Sequence, residues 1–368
     1  MAAPEAWLDF SAGPPELVVD LRSEFLGTPN NFVKCVRFSP DGVAVLVNSD
    51  DNQLRVVDVP PDALERPCCT GLDDGAEGDV SPALCIPGGE CVHDCCWWPC
   101  ASALDPASFV FLSSPRAHPL QLLDGVTGRL RATYRAHDAV DEVTAAVSCC
   151  FSGAGDLVCG GYDRCVRLFS LERPGRECST VAAKALGLVT CLAAGPEHLL
   201  AAGGTGKGVA LLDTRGGGPT ALLHGHRGAV VHARFSPCGN FLYTAARRDD
   251  AILCWDVRSL GDSGAVFSLS RGGSGDTNQR MAFDIEPGGR HLAVGGTDGC
   301  VRAFDLQNAA QVCAWRAGAD AVAGFAYNPA GLPMAASGSG CRVYAAEGDQ
   351  GVKPTDSAVR LWRWRRQE

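Results

Sequence analysis

Residues 225–256 read GHRGAVVHARFSPCGNFLYTAARRDDAILCWD. Gly225-His226 opens the stretch, a partly alternating apolar run reaches Phe235, and Ser236-Pro237-Cys238-Gly239 turns the chain. A second run rich in small residues follows, and a third ends on Trp255-Asp256, 29 residues after His226. Alternation with a period of two, cut by Pro- and Gly-bearing turns, describes consecutive antiparallel strands.

The same turn recurs outward in both directions: Phe38-Ser39-Pro40-Asp41-Gly42, Cys96-Trp97-Trp98-Pro99, Phe151-Ser152-Gly153-Ala154-Gly155, Ala194-Gly195-Pro196, Ile285-Glu286-Pro287-Gly288-Gly289 and Tyr327-Asn328-Pro329-Ala330-Gly331. With the first, that makes seven. A bulky residue and an Asp close the third strand at Val57-Asp58, Leu123-Asp124, Leu212-Asp213, Trp255-Asp256 and Phe304-Asp305, while Phe169-Ser170 and Trp362-Arg363 keep the position without the acid. Ala136-His137 is a degraded Gly-His. Seven units in phase predict an all-β, seven-bladed WD40 β-propeller over 15–364, with insertions at 60–79 and 347–356, a flexible segment at 1–14 and a short tail at 365–368. The last unit stops near Trp364, so Glu16-Leu17-Val18-Val19-Asp20-Leu21 is expected to add its missing outer strand and remove an open edge.

Composition agrees with a turn-rich β protein: 44 glycines, 46% hydrophobic and 20% charged residues. The net charge of -10 rules out a global basic field, so any nucleic-acid site must be a local patch. Acid gathers at Leu72–Asp79, and base near the C-terminus at Arg360, Arg363, Arg365 and Arg366. No apolar run reaches the roughly 18 residues that span a bilayer. Residues 1–10 lack the basic and apolar regions of a secretory signal, so the 19 cysteines are expected to be reduced thiols in a soluble cytosolic or nuclear protein.

Little in the chain suggests chemistry. Cys85, Cys91, His93, Cys95, Cys96 and Cys100 have zinc-binding side chains but not the paired short spacings of a zinc fold, and read as structural cysteines. Gly203–Gly208 lacks the order of a phosphate loop and reads as a hairpin tip. The repeat-phase aspartates 58, 124, 213, 256 and 305 read as blade-fixing residues, and His226 as a strand tether. The expectation is no enzyme, no cofactor, no metal and no small-molecule substrate.

Several segments go beyond generic repeat character: Asn31-Phe32-Val33-Lys34, Asn48–Asn52, Asp124–Gly128 with Tyr134-Arg135-Ala136, Asp141–Ala146, Arg173–Cys178, Leu253–Asp256 and Thr277-Asn278-Gln279-Arg280. Together they resemble the telomerase Cajal body protein family, from about Ser23 to Trp364. The resemblance implies an RNA-binding scaffold that recognises a single-stranded loop box of small Cajal-body RNAs and telomerase RNA. It also implies delivery of these ribonucleoprotein particles to Cajal bodies in support of telomere maintenance. The implied partners are H/ACA ribonucleoprotein proteins such as dyskerin, and coilin; the implied location is the nucleus and its Cajal bodies, with a cytoplasmic pool. The family's long low-complexity N-terminal extension has no counterpart here.

In a propeller, the loops joining second to third strands and the segments joining blades share one face. On it the sequence places Lys34, beside Phe32, and His118, with Arg116, Arg164, Lys207, Arg247 and Arg248 assigned to phosphates and Arg280 to phosphate or base. Asn278 and Gln279 are assigned to base edges, and Phe32 or Tyr162 to base stacking. Two alternatives stand beside this reading: Arg247-Arg248-Asp249-Asp250 as a self-paired surface loop, and Phe32 as a packing residue. A generic protein-binding scaffold or substrate receptor would use the same face.

Overall fold

The computed structural model describes residues 8–10, 13–25, 31–65, 80–260, 264–272, 277–341 and 356–364. The acidic stretch at 72–79, most of the second insertion, and Arg365 and Arg366 lie outside these.

Among the described residues the chain forms seven four-stranded antiparallel sheets, the blades of a β-propeller, and a two-stranded hairpin, Ala136–His137 with Val143–Thr144. Each of the seven turns lies between a first and a second strand, and the third strands end at Asp58, Asp124, Ser170, Asp213, Asp256, Asp305 and Arg363. Blade 5 shows the pattern: Val230–Phe235, Phe241–Ala246, Ala251–Asp256 and Phe267–Ser270 pair in order. Small residues in the second strands answer to crowding. A Cβ on Gly295 would stand 2.0 Å from the Val322 carbonyl oxygen.

Two compact units make up the chain. One comprises 1–38, 42–85 and 281–368 and holds blades 1, 6 and 7; the other comprises 39–41 and 86–280 and holds blades 2 to 5. In each, the apolar core lies between neighbouring blades, where strand faces too small to exclude water alone cover one another.

Blade 7 is completed as the sequence requires. Glu16–Asp20 pairs antiparallel with Ala358–Arg363, with Leu17 opposite Trp362 and Asp20 opposite Arg360. Arg363 meets Glu16 across the pair at 2.8 Å. Within the 1–14 segment, Leu8 and Phe10 are buried against this sheet, whereas Pro14 is exposed.

The repeat-phase acids fasten turns. Asp124, Asp213, Asp256 and Asp305 each accept the backbone N–H two residues on, and each pairs with an arginine. Hydrogen bonds from the Arg215 guanidinium lower the Asp213 carboxyl to about 2, and Arg258 does the same for Asp256.

His226 tethers blade 5 through a buried chain of bonds. The Trp255 indole donates to the Thr244 hydroxyl at 2.8 Å, Thr244 lies 2.8 Å from His226 Nε2, and His226 Nδ1 lies 2.9 Å from Asp249. A neutral imidazole satisfies every link, accepting at Nε2 and donating at Nδ1. Burial, opposed by Asp249, lowers the His226 pKa, so its contribution to stability is present above the ordinary histidine value and fades as pH falls through the lower folded value. Thr244→Val leaves the indole N–H and the imidazole Nε2 without a partner, and is expected to cost about 2–4 kcal/mol, read as a lower urea midpoint at unchanged slope.

Candidate nucleic-acid interface

In the unit of blades 2 to 5, backbone bonds stitch each loop between second and third strands to the segment that links two blades. Arg164 N–H donates to the Gly187 carbonyl at 2.8 Å, Thr205 to Leu188 at 3.0 Å, Arg247 to Ala229 at 2.8 Å and Arg248 to Thr277 at 3.3 Å. These loops therefore share one end of the unit. The residue just before a third strand sits in the left-handed backbone region in blades 1, 3, 4 and 6. Asn52 and Gly299 fill it with residues that adopt this conformation readily, but blades 3 and 4 use Arg164 at φ 58° and Lys207 at φ 65°. Arg248, within the corresponding loop of blade 5, is also left-handed at φ 52°. Long cations thus occupy tips where a smaller residue would suit the backbone better.

Arg116, Arg164, Lys207, Arg247 and Arg248 are all exposed. Arg164 has only Asp163 nearby, at 4.0 Å with both side chains about 70% exposed, a pair of little energetic weight. Arg247 and Arg248 do not pair with the two aspartates that follow them. Asp249 is turned inward to His226 and to the Arg227 backbone N–H, and Asp250 accepts from the Ser270 hydroxyl. Desolvation and then the like charge of Arg280 lower the Arg247 pKa, which places two guanidinium groups within electrostatic reach of each other.

Other assigned residues have other surroundings. Arg280 is held inward, donating to the Thr190 carbonyl at 2.8 Å and lying 3.5 Å from the buried Asp94. It braces first strands of blades 2 and 4, with its charge partly answered. Asn278 is exposed; Gln279 is half-buried and its N–H donates to Thr277 Oγ1 at 3.0 Å. Arg116 neighbours the Ala117–His118 turn, which Glu90 holds through the Ala117 N–H and His118 Nδ1.

Tyr162 requires a correction. Its ring is 4% exposed, packed in the core between blades 2 and 3 with the Arg167 guanidinium 5.1 Å from its centre, so it offers no face to a base. In the other unit, Lys34 Nζ lies 3.0 Å from Asp50, with both side chains more than four-fifths buried, so its charge is already matched. Phe32 is half-buried there, against Gly340. Phe32 and Lys34 are thus bound into blade 1, as a packing role would have them.

Exposed Lys184 and Arg227 were not singled out, although they stand in the blade-linking segments of this same end. Their position shortly before a first strand was the available signal. Among the described residues, no three His, Cys, Asp or Glu side chains are arranged to hold a metal ion, and every cysteine is a free thiol. No helix among them is long and apolar enough to cross a membrane.

Known proteins bear on this arrangement. The WD40 family, described as WD domain, G-beta repeat, matches residues 20–58, 128–170 and 217–256. Telomerase Cajal body protein 1 of Bos taurus is 37% identical over 344 residues, which are 89% of this chain and 61% of the relative. The Homo sapiens protein of that name is 35% identical over 361 residues, 94% of this chain and 64% of the relative. The homolog from Drosophila melanogaster is 32% identical over 332 residues, 88% of this chain and 60% of the relative. The chain spans less than two-thirds of the length of these relatives. The seven blades, the repeat match and this similarity agree: the chain is a β-propeller that carries WD40 repeats and is similar, along about nine-tenths of its length, to telomerase Cajal body protein 1.

Proposed function

We propose that this propeller is an RNA-binding scaffold, not an enzyme, which recognises the single-stranded loop box of small Cajal-body RNAs and of telomerase RNA and brings their particles to nuclear Cajal bodies. The observation that carries the reading is how arginine charge is treated in blades 2 to 5. Arg131, Arg215 and Arg258, placed after third strands, are each bonded to the aspartate that closes the strand. At the end with the blade-linking segments, Arg247, Arg248 and Lys207 are exposed, and no ion pair to a described residue is formed by any of them. Arg129 and Arg135 are also exposed without an ion pair to a described residue, so what marks this end is that three such cations share it, a local site for an anion on an acidic protein.

Single-stranded loops suit such a surface, because their phosphates meet the cations while their unstacked bases present edges to amides such as Asn278. The relatives are named for telomerase and for Cajal bodies, which supports this choice of RNA and of nuclear body. Dyskerin and coilin are the protein partners this reading implies. The test is titration of a labelled Cajal-body-type RNA hairpin and of a copy with its loop box scrambled. The intact box is expected to bind about tenfold or more tighter; equal, steeply salt-dependent binding of both would leave only nonspecific phosphate attraction.

A further inference from the structure

Arg280 differs from the exposed cations of the RNA face because it reaches inward, with its side chain 20% exposed. It lies in the segment linking blades 5 and 6, and Arg248 N–H donates to the Thr277 carbonyl at 3.3 Å, which ties that segment to the loop carrying Arg247. The guanidinium crosses to the innermost strands of two other blades, donating to the Thr190 carbonyl at 2.8 Å and lying 3.5 Å from Asp94. Thr190 is the bulge residue between Val189 and Cys191, left without a partner in the ladder of blade 4.

The charges at this inner rim do not balance. Asp94 is 3% exposed and spreads its charge over the Cys95 and Cys149 backbone N–H groups, at 3.1 and 3.3 Å. Its contact with Arg280 is longer than the roughly 2.7–2.9 Å of a charge-assisted hydrogen bond, so most of the guanidinium's donors are left for another acceptor. Arg247 is exposed and bonded to no described side chain; desolvation and the like charge of Arg280 lower its pKa. Its backbone is fixed: the Arg247 N–H donates to Ala229 at 2.8 Å, and a Cβ on Gly228 would collide with the Arg247 carbonyl oxygen. Two guanidinium groups thus stand near one buried carboxylate that only Arg280 approaches. A fold that holds like charges together stores a repulsion that an anion relieves.

We propose that Arg247 and Arg280 clamp one phosphate of the RNA loop at the inner rim of blades 4 and 5, and that this clamp makes binding depend on the shape of the loop. The inference deepens the RNA reading and rests on it. Guanidinium groups from two separate segments fix the direction of a phosphate as well as its charge, which the point charge of lysine does not. Only a loop whose backbone turns inward brings a phosphate to Arg280, whereas the exposed Arg248 and Lys207 attract any strand.

The test titrates Arg247→Lys, Arg280→Lys and the double variant with the box hairpin and its scrambled copy, and takes thermal midpoints alongside. Each single variant keeps its charge, and is expected to bind the intact box about tenfold more weakly and the scrambled copy within about threefold of the unaltered chain. Because both side chains hold one phosphate, the double variant is expected to lose about tenfold in all, where independent contacts would lose about a hundredfold. Losses that multiply, or that fall equally on both RNAs, overturn the clamp. So does a lowered midpoint for Arg280→Lys with discrimination between the RNAs intact, the result of a brace and nothing more. Should Arg280→Lys unfold, box hairpins that each carry one neutral methylphosphonate linkage decide. One loop position is expected to cost the unaltered chain about tenfold and Arg247→Lys little, and the absence of such a position overturns the proposal. Equal binding of intact and scrambled hairpins by the unaltered chain is the failure of the RNA reading itself, seen before any variant is made, and it removes the clamp with it.

Discussion

Changing Arg247 and Arg248 together to glutamate is expected to weaken binding of the loop-box RNA by about two orders of magnitude while leaving the thermal midpoint unchanged. A charge-assisted hydrogen bond contributes about 1.5–3 kcal/mol net, so two lost phosphate contacts amount to a hundredfold or more. Reversal, unlike neutralisation, adds repulsion. The slope of log affinity against log salt is expected to flatten by roughly 1.4, two contacts at about 0.7 each on a single strand. The fold has little stake in either side chain, because both are exposed and the carboxylates beside them already have other partners. Arg248 is left-handed, but glutamate there suffers the same backbone strain as arginine, so the exchange adds none. Unchanged RNA affinity would move the site away from blade 5.

Arg360→Ala is expected to destabilise the protein by about 3 kcal/mol, read from the urea midpoint, because it removes the buried cation shared by Asp20 and Asp356 and leaves them only the more exposed Arg22. Arg360 is 0% exposed. Its guanidinium lies 3.0 Å from Asp20 on the closing strand and 2.7 Å from Asp356, and also bonds the Ala317 carbonyl and the Ser339 hydroxyl. Burial works against its charge, but the two aspartates outweigh that and raise its pKa. Burial likewise raises the Asp356 carboxyl, and the Arg360 bonds more than reverse this, so its folded pKa is lowered.

A sign follows from that balance. In the native protein Asp356 contributes stability that is fully present above its unfolded value, about 3.9, and is lost as pH falls through the lower folded value. Without Arg360, Asp356 keeps only Arg22 at 3.4 Å and the Ala319 N–H to set against burial, so its folded pKa moves upward and its charge stabilises the fold less. The difference between the native chain and Arg360→Ala should therefore be largest near neutrality and shrink below about pH 4. A difference that stays constant from neutrality down to about pH 2 would show that Arg360 acts by packing alone.

The blades were legible because their signals are local. Phe235-Ser236-Pro237-Cys238-Gly239 turns the chain by its own backbone preferences, and the alternation before it allows one burial pattern. The need for a closing strand was legible too, since a sheet ending at Trp364 lacks an outer partner, and Glu16–Asp20 supplies it. Site residues were legible only in part. Lys207 and Arg164 were placed correctly at hairpin tips, but their left-handed backbone depends on turn geometry common to the loops before third strands. Tyr162 and Lys34 look like surface residues from their neighbours in sequence. Tyr162 is buried in a cluster with Leu120 of the preceding blade and Phe169 of its own, and Lys34 is matched by Asp50 across a strand pair.

By itself, then, the sequence determined that the chain is a run of antiparallel strands cut into seven units, because strand periodicity and turn chemistry act between residues a few positions apart. Only the tertiary structure decided which cations are free. Arg258 is quenched by Asp256 two residues away, whereas Arg247 and Arg248 stay open although aspartates follow them directly, because Asp249 is drawn inward by His226, 23 positions earlier. Pairing of charges is a matter of distance in space, and adjacency in the chain does not set it.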